Sequence, residues 1–473
     1  MTNRYPEWLV MVYISADGLL ANFAVESLKQ LKRAAGNGVV VVAQVDKDGD
    51  IPARKYVFDK SGSLADSKAQ ILDLPTGGTP DPKNLTEFIN HAVGTYGQDK
   101  RRALFLWGHG PELLFDEDPA PKAGGSARKP IRKYLTPSEL KTALKDTNLV
   151  NAEHKLDIIG LDACSMSMVE VASELGDCAE FMVASQEDVP DTSFPYADIL
   201  SFLKQPGSAE DAARKIPELY LNTYRDYVTA PSTGFRGITI SAVRLSKIDS
   251  VVKQLRNLAN ALLEGSKDKT ARQAIFESRK KAHGFVFGLY VDIVDLCREL
   301  EASKIGETMK AVCDPMREAV AAVMIENKAF TNQPDDTGIK TEDLDSKGLA
   351  KGLSIYFPYR VADATEELQE FRAAKGSRTN PSKEGRAARI RDLEEDFSKL
   401  KLNDWKNFIQ QGWCSILAQE AQQNKDFVLD EVYSAQQCAQ NLGSLGHGAE
   451  PPRKYEVRPR ATARPIPREE PAA

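Results

Sequence analysis

Apolar residues along the first half of the chain form short, nearly continuous runs. Two of these runs, Trp8–Ala16 and Val39–Val45, are typical of strands that are buried on both faces. Three further strands are predicted at Arg102–Trp107, Lys155–Leu161 and Phe181–Ser185, and a hairpin or short strands at 53–74.

Helical spacing of apolar residues separates these runs. It predicts a helix over 17–35, a second over Pro82–Tyr96 and another over Ser165–Leu175. A fourth helix is predicted to begin at Thr136, because Thr136, Pro137 and Glu139 form a capping box with proline in the first turn, and to end near Asp146.

Alternating strands and helices predict an α/β fold, a mostly parallel sheet flanked by helices. Beyond residue 205 the chain becomes mainly helical, with predicted helices at 208–228, 246–264, 268–282, 290–303, 305–327 and 400–420. Strands are predicted at Ile238–Val243 and Leu353–Phe357, and surface loops at 331–350 and 372–390. We therefore expect a core at 1–205, a helical C-terminal region with additional strands at 206–430, and a disordered Pro/Arg-rich tail at 431–473.

Charge and composition narrow the possible functions. The chain has 473 residues and a net charge of −6, without the basic stripe that nucleic-acid binding requires. The apolar run at the N-terminus is too short to span a bilayer, and no signal peptide precedes it, so we expect a cytoplasmic protein that binds no membrane. Six scattered cysteines form no CxxC pair and no zinc-ligand spacing, which predicts no metal or other cofactor.

A histidine and a cysteine each follow a predicted buried strand. His109 lies between two glycines after Arg102–Trp107, and Cys164 follows Lys155–Leu161. Sites in parallel sheets lie at the carboxyl ends of strands, so these two residues can meet although they are distant in sequence. The alternative is a structural cysteine at a strand end and an ordinary histidine in a turn.

A thiolate needs help to form, because the pKa of free cysteine is about 8.5. His109 is predicted to accept the proton or to carry a nearby positive charge, and the helix predicted from Ser165 is expected to direct its N–H groups at the sulfur. The backbone N–H groups of Gly110 and Cys164 are predicted to bind a developing oxyanion.

The sequence resembles the clostripain-like (C11) cysteine peptidases, relatives of the caspases, over roughly residues 8–415. The matching segments begin with the first strand and include Leu106–Gly110, Asp157–Met166, Ala184–Glu187, Gly288–Ile293 and Gly352–Pro358. The resemblance implies a caspase-like fold and peptide-bond hydrolysis by a His109/Cys164 dyad.

The resemblance also implies cleavage after Arg or Lys, with protein or peptide substrates as partners. Asp162 matches the family position that is linked to a basic P1 side chain, and a carboxylate pairs well with guanidinium or ammonium. The alternative for Asp162 is a structural carboxylate bonded to backbone N–H groups. Ser185 and Gln186 are expected to line the same pocket by this resemblance.

A loop at 111–134 lies between the two candidate catalytic residues. The resemblance implies zymogens that are processed in this interval, either by the protein itself or by an activating protease. The alternative is an uncut surface loop. The candidate cleavage positions are Lys122, Arg128, Lys129, Arg132 and Lys133.

Two other functions remain open from the sequence. One is a caspase-like regulatory scaffold that does not use its dyad and binds protein partners. The other is acyl transfer or ligation, which passes through the same acyl-enzyme as hydrolysis. Limited proteolysis in signalling or defence is the leading hypothesis. Calcium dependence is left open, since Asp46–Asp50 lacks the distal glutamate of an EF-hand loop.

Overall fold

The structure is a computed structural model whose central strands follow the predicted apolar runs closely. It describes residues 8–16, 20–47, 52–72, 74, 78–97, 99–110, 135–149, 154–229, 237–285, 290–331, 350–357, 402–413 and 415–417. The strands are β1 Trp8–Ser15, β2 Val39–Asp46, β3 Ala53–Phe58, β4 Gln70–Leu72, β5 Arg101–Trp107, β6 Leu156–Asp162, β7 Ala179–Ala184, β8 Gly237–Arg244, β9 Gly284–Phe285, β10 Tyr290–Asp292, β11 Met324–Thr331 and β12 Ser354–Tyr356.

The helices include two whose start follows directly from the sequence. The capping box at Thr136 is present, and Asp81 caps the helix that begins at Pro82. The helices are α1 Ala21–Ala34, α2 Pro82–Tyr96, α3 Pro137–Lys145, α4 Val169–Leu175, α5 Tyr196–Leu203, α6 Ala209–Thr229, α7 Ile248–Gly265, α8 Lys269–Lys281, α9 Ile293–Glu301, α10 Gly306–Val323 and α11 Asn403–Asn407, which a π-helical turn Phe408–Trp413 follows.

Nine strands form one sheet in the order β11-β8-β7-β6-β5-β1-β2-β3-β4. The five central strands from β7 to β2 are parallel, and antiparallel strands complete both edges. Helices cover the sheet, so the predicted mostly parallel α/β fold is confirmed. β8 and β11 come from beyond residue 205, and the sheet therefore includes part of the predicted C-terminal region.

Alternating side chains of β1 enter two separate hydrophobic clusters, one on each side of the sheet. Leu9 and Met11 pack with α2, α3 and α4, whereas Val10 and Val12 pack with α1, α5 and α6. Burial on both faces explains why this strand has almost no polar positions.

Two predicted helices in the C-terminal region are wrong in part. Residues Tyr290–Asp292, predicted as the start of a helix over 290–303, form β10, and Asp292 caps the helix that begins at Ile293. The predicted helix 305–327 ends at Val323, because the following residues pair with β8 as β11. In both places pairing with a distant strand overrides local helical spacing.

Candidate active site

The ends of two neighbouring strands bring His109 and Cys164 to the same edge of the sheet. β5 and β6 are parallel, and Trp107 pairs with Asp162 in their register. The N–H of Gly108 donates to the carbonyl oxygen of Asp162 at 3.2 Å, so the two chains remain side by side beyond the strands. His109 and Cys164 each follow two residues after this last pair and therefore occupy equivalent positions.

Gly110 packs directly on the backbone of Cys164. A Cβ atom built on Gly110 would lie 1.9 Å from the carbonyl oxygen of Cys164 and 2.8 Å from its nitrogen. Real Cβ contacts do not come this close, so only glycine fits here without a backbone shift. The loop that carries His109 thus lies in backbone contact with the residue that carries the thiol.

Cys164 is partly exposed, whereas Cys178, Cys297 and Cys313 are buried. The N–H of Val189 donates to Cys164 Sγ at 3.3 Å, and the carbonyl oxygen of Val189 lies 3.9 Å from the same sulfur. Partial exposure and an N–H donor are features of reactive rather than structural cysteines.

The helix predicted from Ser165 is a wrong prediction, because α4 begins only at Val169. Ser165 has a φ of +58°, which no helix accepts, and its N–H donates to the carbonyl oxygen of Glu187 at 3.0 Å. The N–H of Ser167 donates to the carbonyl oxygen of Ser185 at 2.8 Å. The chain after Cys164 therefore follows the end of β7 as a turn, and no helix N-terminus begins at the sulfur.

Asp162 is buried, and its two carboxylate oxygens differ in their hydrogen bonding. Oδ2 accepts hydrogen bonds from the hydroxyl of Ser193, from the N–H of Phe194 at 2.9 Å and from the hydroxyl of Tyr196 at 2.8 Å. Oδ1 has no hydrogen-bond partner among the described residues. Burial raises the pKa of Asp162 to about 7, although the three donors act in the opposite direction. One oxygen is thus structural, and the other is left for a further partner.

Ser185 and Gln186 are buried, and their side chains bond inside the protein. Ser185 Oγ lies 3.0 Å from the hydroxyl of Thr239. The amide of Gln186 donates to Asp292 Oδ2 at 3.0 Å and accepts from the N–H of Gly352 at 2.9 Å. The assignment of both residues to substrate binding stays a prediction, and in this structure neither side chain offers a free polar group.

A segment from the C-terminal region fastens the turn after Cys164. Ser167 Oγ donates to the carbonyl oxygen of Gly352 at 2.6 Å, and the N–H of Ser354 donates to the carbonyl oxygen of Ser167 at 3.0 Å. Gly352 has a φ of +91°, and an added Cβ would lie 2.6 Å from Met324 Cε. We call residues 350–357 the strap, because they hold the turn from outside the central strands.

Sequence reasoning missed the role of several residues around the sulfur. Asp292 and Gly352 lie in segments that match the family, but nothing local assigns them to the turns around Cys164, and Val189 lies in no matching segment. Lys122, Arg128, Lys129, Arg132 and Lys133 lie outside the described residues, as do most of the predicted loops and the tail.

The described residues contain no group of three or more His, Cys, Asp or Glu side chains that could hold a metal ion. Among the same residues, no helix has the length and apolar character needed to cross a membrane.

A mostly parallel sheet with a cysteine and a histidine at adjacent strand ends is the arrangement expected of a thiol peptidase of α/β type. The model of the clostripain family, peptidase C11, matches residues 12–369. The chain therefore belongs to the clostripain family of cysteine peptidases.

Solved structures of C11 proteases share this fold. An inactive zymogen C11 protease from Parabacteroides distasonis is 16% identical, with a TM-score of 0.53 over 79% of this chain and 99% of its own. A secreted C11 cysteine protease from Bacteroides thetaiotaomicron, "iotapain", is 15% identical, with a TM-score of 0.55 over 78% of this chain and 99% of its own.

A structure of a secreted C11 cysteine protease from Bacteroides thetaiotaomicron holds an irreversible peptide inhibitor. It is 18% identical, with a TM-score of 0.53 over 78% of this chain and 98% of its own. No curated protein matches the chain. The cytoplasmic location stays a prediction.

Proposed function

We propose that this peptidase is an endopeptidase that cleaves after Arg or Lys with a His109/Cys164 dyad. The proposal rests above all on the backbone contact between Gly110 and Cys164, which brings the histidine loop beside a partly exposed cysteine. A nucleophile and its base must lie close together, and the adjacent ends of β5 and β6 support this arrangement.

In the proposed mechanism, the Cys164 thiolate attacks the scissile carbonyl carbon, and the carbonyl π electrons move to oxygen. The N–H groups of Gly110 and Cys164 bind this oxyanion. When the tetrahedral intermediate collapses, the C–N bond breaks and His109 gives its proton to the leaving amine. Water, deprotonated by His109, then hydrolyses the thioester and releases the acid and the thiol.

Asp162 supplies the proposed preference for a basic P1 side chain. Its Oδ1 is buried and lacks a hydrogen-bond partner among the described residues, while Oδ2 is fixed by three donors. A buried acceptor without a partner costs free energy, and a guanidinium or ammonium group would satisfy it. Because the carboxylate is held rigidly at one oxygen, it offers the other in a defined direction.

Fluorogenic peptides that differ only in Arg or citrulline at P1 test this preference, since citrulline is a neutral analogue of arginine. We expect kcat/KM for the Arg peptide to exceed that for citrulline, with the ratio rising about tenfold between pH 6 and pH 8. The direction of this change follows from the pKa of Asp162, which is about 7. In the free enzyme the Asp162 carboxyl group is mostly protonated and neutral at pH 6, and mostly ionised at pH 8.

Asp162→Asn is the matched variant, because Asn keeps an acceptor for the three donors. It should lower kcat/KM for the Arg peptide roughly 100-fold, remove the pH dependence of the ratio and leave the citrulline peptide little changed. An Asp162→Asn variant that retained full Arg cleavage would remove Asp162 from the P1 pocket.

We further propose that cleavage within residues 111–134 activates the protein, because this segment lies between the proposed base and nucleophile and contains five basic residues: Lys122, Arg128, Lys129, Arg132 and Lys133. Intact-mass measurement of the active protein should show two fragments that separate after one of these residues. A single uncut chain with full activity would contradict this part of the proposal without affecting the dyad.

A further inference from the structure

We propose that the backbone N–H of Val189 is a catalytic group that stabilises the Cys164 thiolate before it attacks the substrate. This inference deepens the proposed function and rests on Cys164 being the nucleophile. It assigns to one backbone donor the task that the sequence analysis gave to a helix N-terminus, which the structure places at Val169 instead.

The geometry around the sulfur favours the negatively charged form. The nitrogen of Val189 lies 3.3 Å from Cys164 Sγ, while the carbonyl oxygen of Val189, which would accept from a neutral thiol, is more distant at 3.9 Å. An N–H bond to an ionised acceptor is about twice as strong as one between neutral groups. The closer contact therefore stabilises the thiolate more than the longer contact stabilises the thiol.

Acidic residues are neighbours of both Cys164 and Val189 along the chain. Asp162 precedes Cys164 by two residues, and Asp188 directly precedes Val189. Glu187 belongs to the same turn as Val189, and its N–H donates to Thr239 Oγ1. Negative neighbours oppose a thiolate, and a fixed N–H dipole counteracts them without adding a titratable group.

The turn that carries Val189 is anchored at its first residues. Thr239 Oγ1 accepts the N–H groups of Gln186 and Glu187 at 2.9 and 3.0 Å. The Gln186 side chain joins Asp292 to the N–H of Gly352. Gln186 and Asp292 are thus positioning residues for the donor, since they act on the sulfur through the turn that they hold.

The far side of the turn is anchored as well. The N–H of Ser193 donates to the carbonyl oxygen of Pro190 at 2.8 Å, and the hydroxyl of Ser193 bonds to Asp162. Val189 lies between the two anchors, so its N–H is held at the sulfur before substrate arrives. Such preorganised donors act without reorganisation during the reaction.

The test compares Val189→Pro, which removes the N–H, with Val189→Ala, which keeps it while also losing the side chain. The probe is iodoacetamide, and peptide mapping by mass spectrometry gives the alkylation rate of Cys164 alone from pH 5 to pH 10. We expect Val189→Pro to react about tenfold more slowly than Val189→Ala at pH 7. The midpoint of the pH profile of Val189→Pro should lie about one pH unit higher than that of Val189→Ala.

The rate at high pH separates stabilisation of the thiolate from simple access to the sulfur. Both variants should reach limiting rates within about twofold of each other, because the sulfur is fully ionised there. Equal midpoints for the two variants would overturn the proposal. Alkylation requires no peptide cleavage, so this result is independent of whether the chain proves to be an Arg/Lys endopeptidase.

Gln186→Met decides the matter if Val189→Pro does not fold. Methionine has a similar shape and removes both amide bonds, which should release the turn and move the midpoint upwards by about half a unit. Gln205→Met, on the surface after α5, is the matched control and should keep the wild-type midpoint. A folded Gln186→Met variant with the wild-type midpoint would overturn the proposal.

Discussion

Replacing Cys164 by alanine should abolish peptide cleavage, with kcat/KM for an Arg peptide falling at least about 10⁴-fold. A thioester needs a thiol, and the other cysteines that the structure describes are buried, so the variant retains only what substrate binding and the oxyanion donors contribute to the rate. Cys164 is partly exposed and lies at the margin of a core cluster, so thermal unfolding should remain close to that of the wild type. Fluorogenic assays and calorimetry measure the two effects.

Cys178→Ala is the matched control for the loss of a thiol. Cys178 is fully buried in the cluster that contains α3 and α4, and its removal should cost about 1–2 kcal/mol of stability while leaving kcat/KM unchanged. If Cys164→Ala cleaved as fast as the wild type, the peptidase proposal would fail and the scaffold hypothesis would take its place.

Gly110→Ala should lower kcat/KM about 100-fold or more, because one methyl group would enter the space of the Cys164 carbonyl. The atoms it meets at 1.9 and 2.8 Å are backbone atoms, which cannot rotate away as a side-chain end can. The loop must shift by about an ångström, and a displacement of that size between a nucleophile and its base costs about two orders of magnitude in rate.

Gly94→Ala provides the comparison for this substitution. Gly94 lies in α2, and an added Cβ meets no atom within 4 Å. Alanine should stabilise the helix by up to about 1 kcal/mol and leave the rate unchanged. Equal activities of the two alanine variants would show that the Gly110 contact does not position the dyad.

The five central strands of the sheet could be predicted because they are buried on both faces. A strand such as β1 must be apolar at nearly every position. This continuous apolar run can be recognised in the sequence without knowing which strands pair with it. β10 and β11 could not be predicted in this way, since Tyr290–Asp292 and Met324–Thr331 become strands only through pairing with distant segments. Their local spacing is equally compatible with a helix.

The positions of the two proposed dyad residues could be predicted for a related reason. His109 and Cys164 follow strands that the sequence makes evident, and parallel neighbours end at one edge. The geometry around the sulfur could not be predicted from the sequence. Ser165 adopts a positive φ where the chain runs along the end of β7, and Val189 lies on a turn that is held by hydrogen bonds to Thr239 and Asp292. Each of these contacts joins residues that no local pattern relates.

The strap has a consequence for the order in which the protein can assemble. Ser167 depends on Gly352, 185 residues further along the chain, and Tyr356 donates its N–H to Glu170 across 186 residues. Closing so long a loop costs conformational entropy that only the completed sheet and helices can offset. During synthesis, the turn behind the nucleophile therefore stays unfastened until the strap has been made. A nascent chain therefore carries its thiol well before the segment that holds the turn behind it has been synthesised.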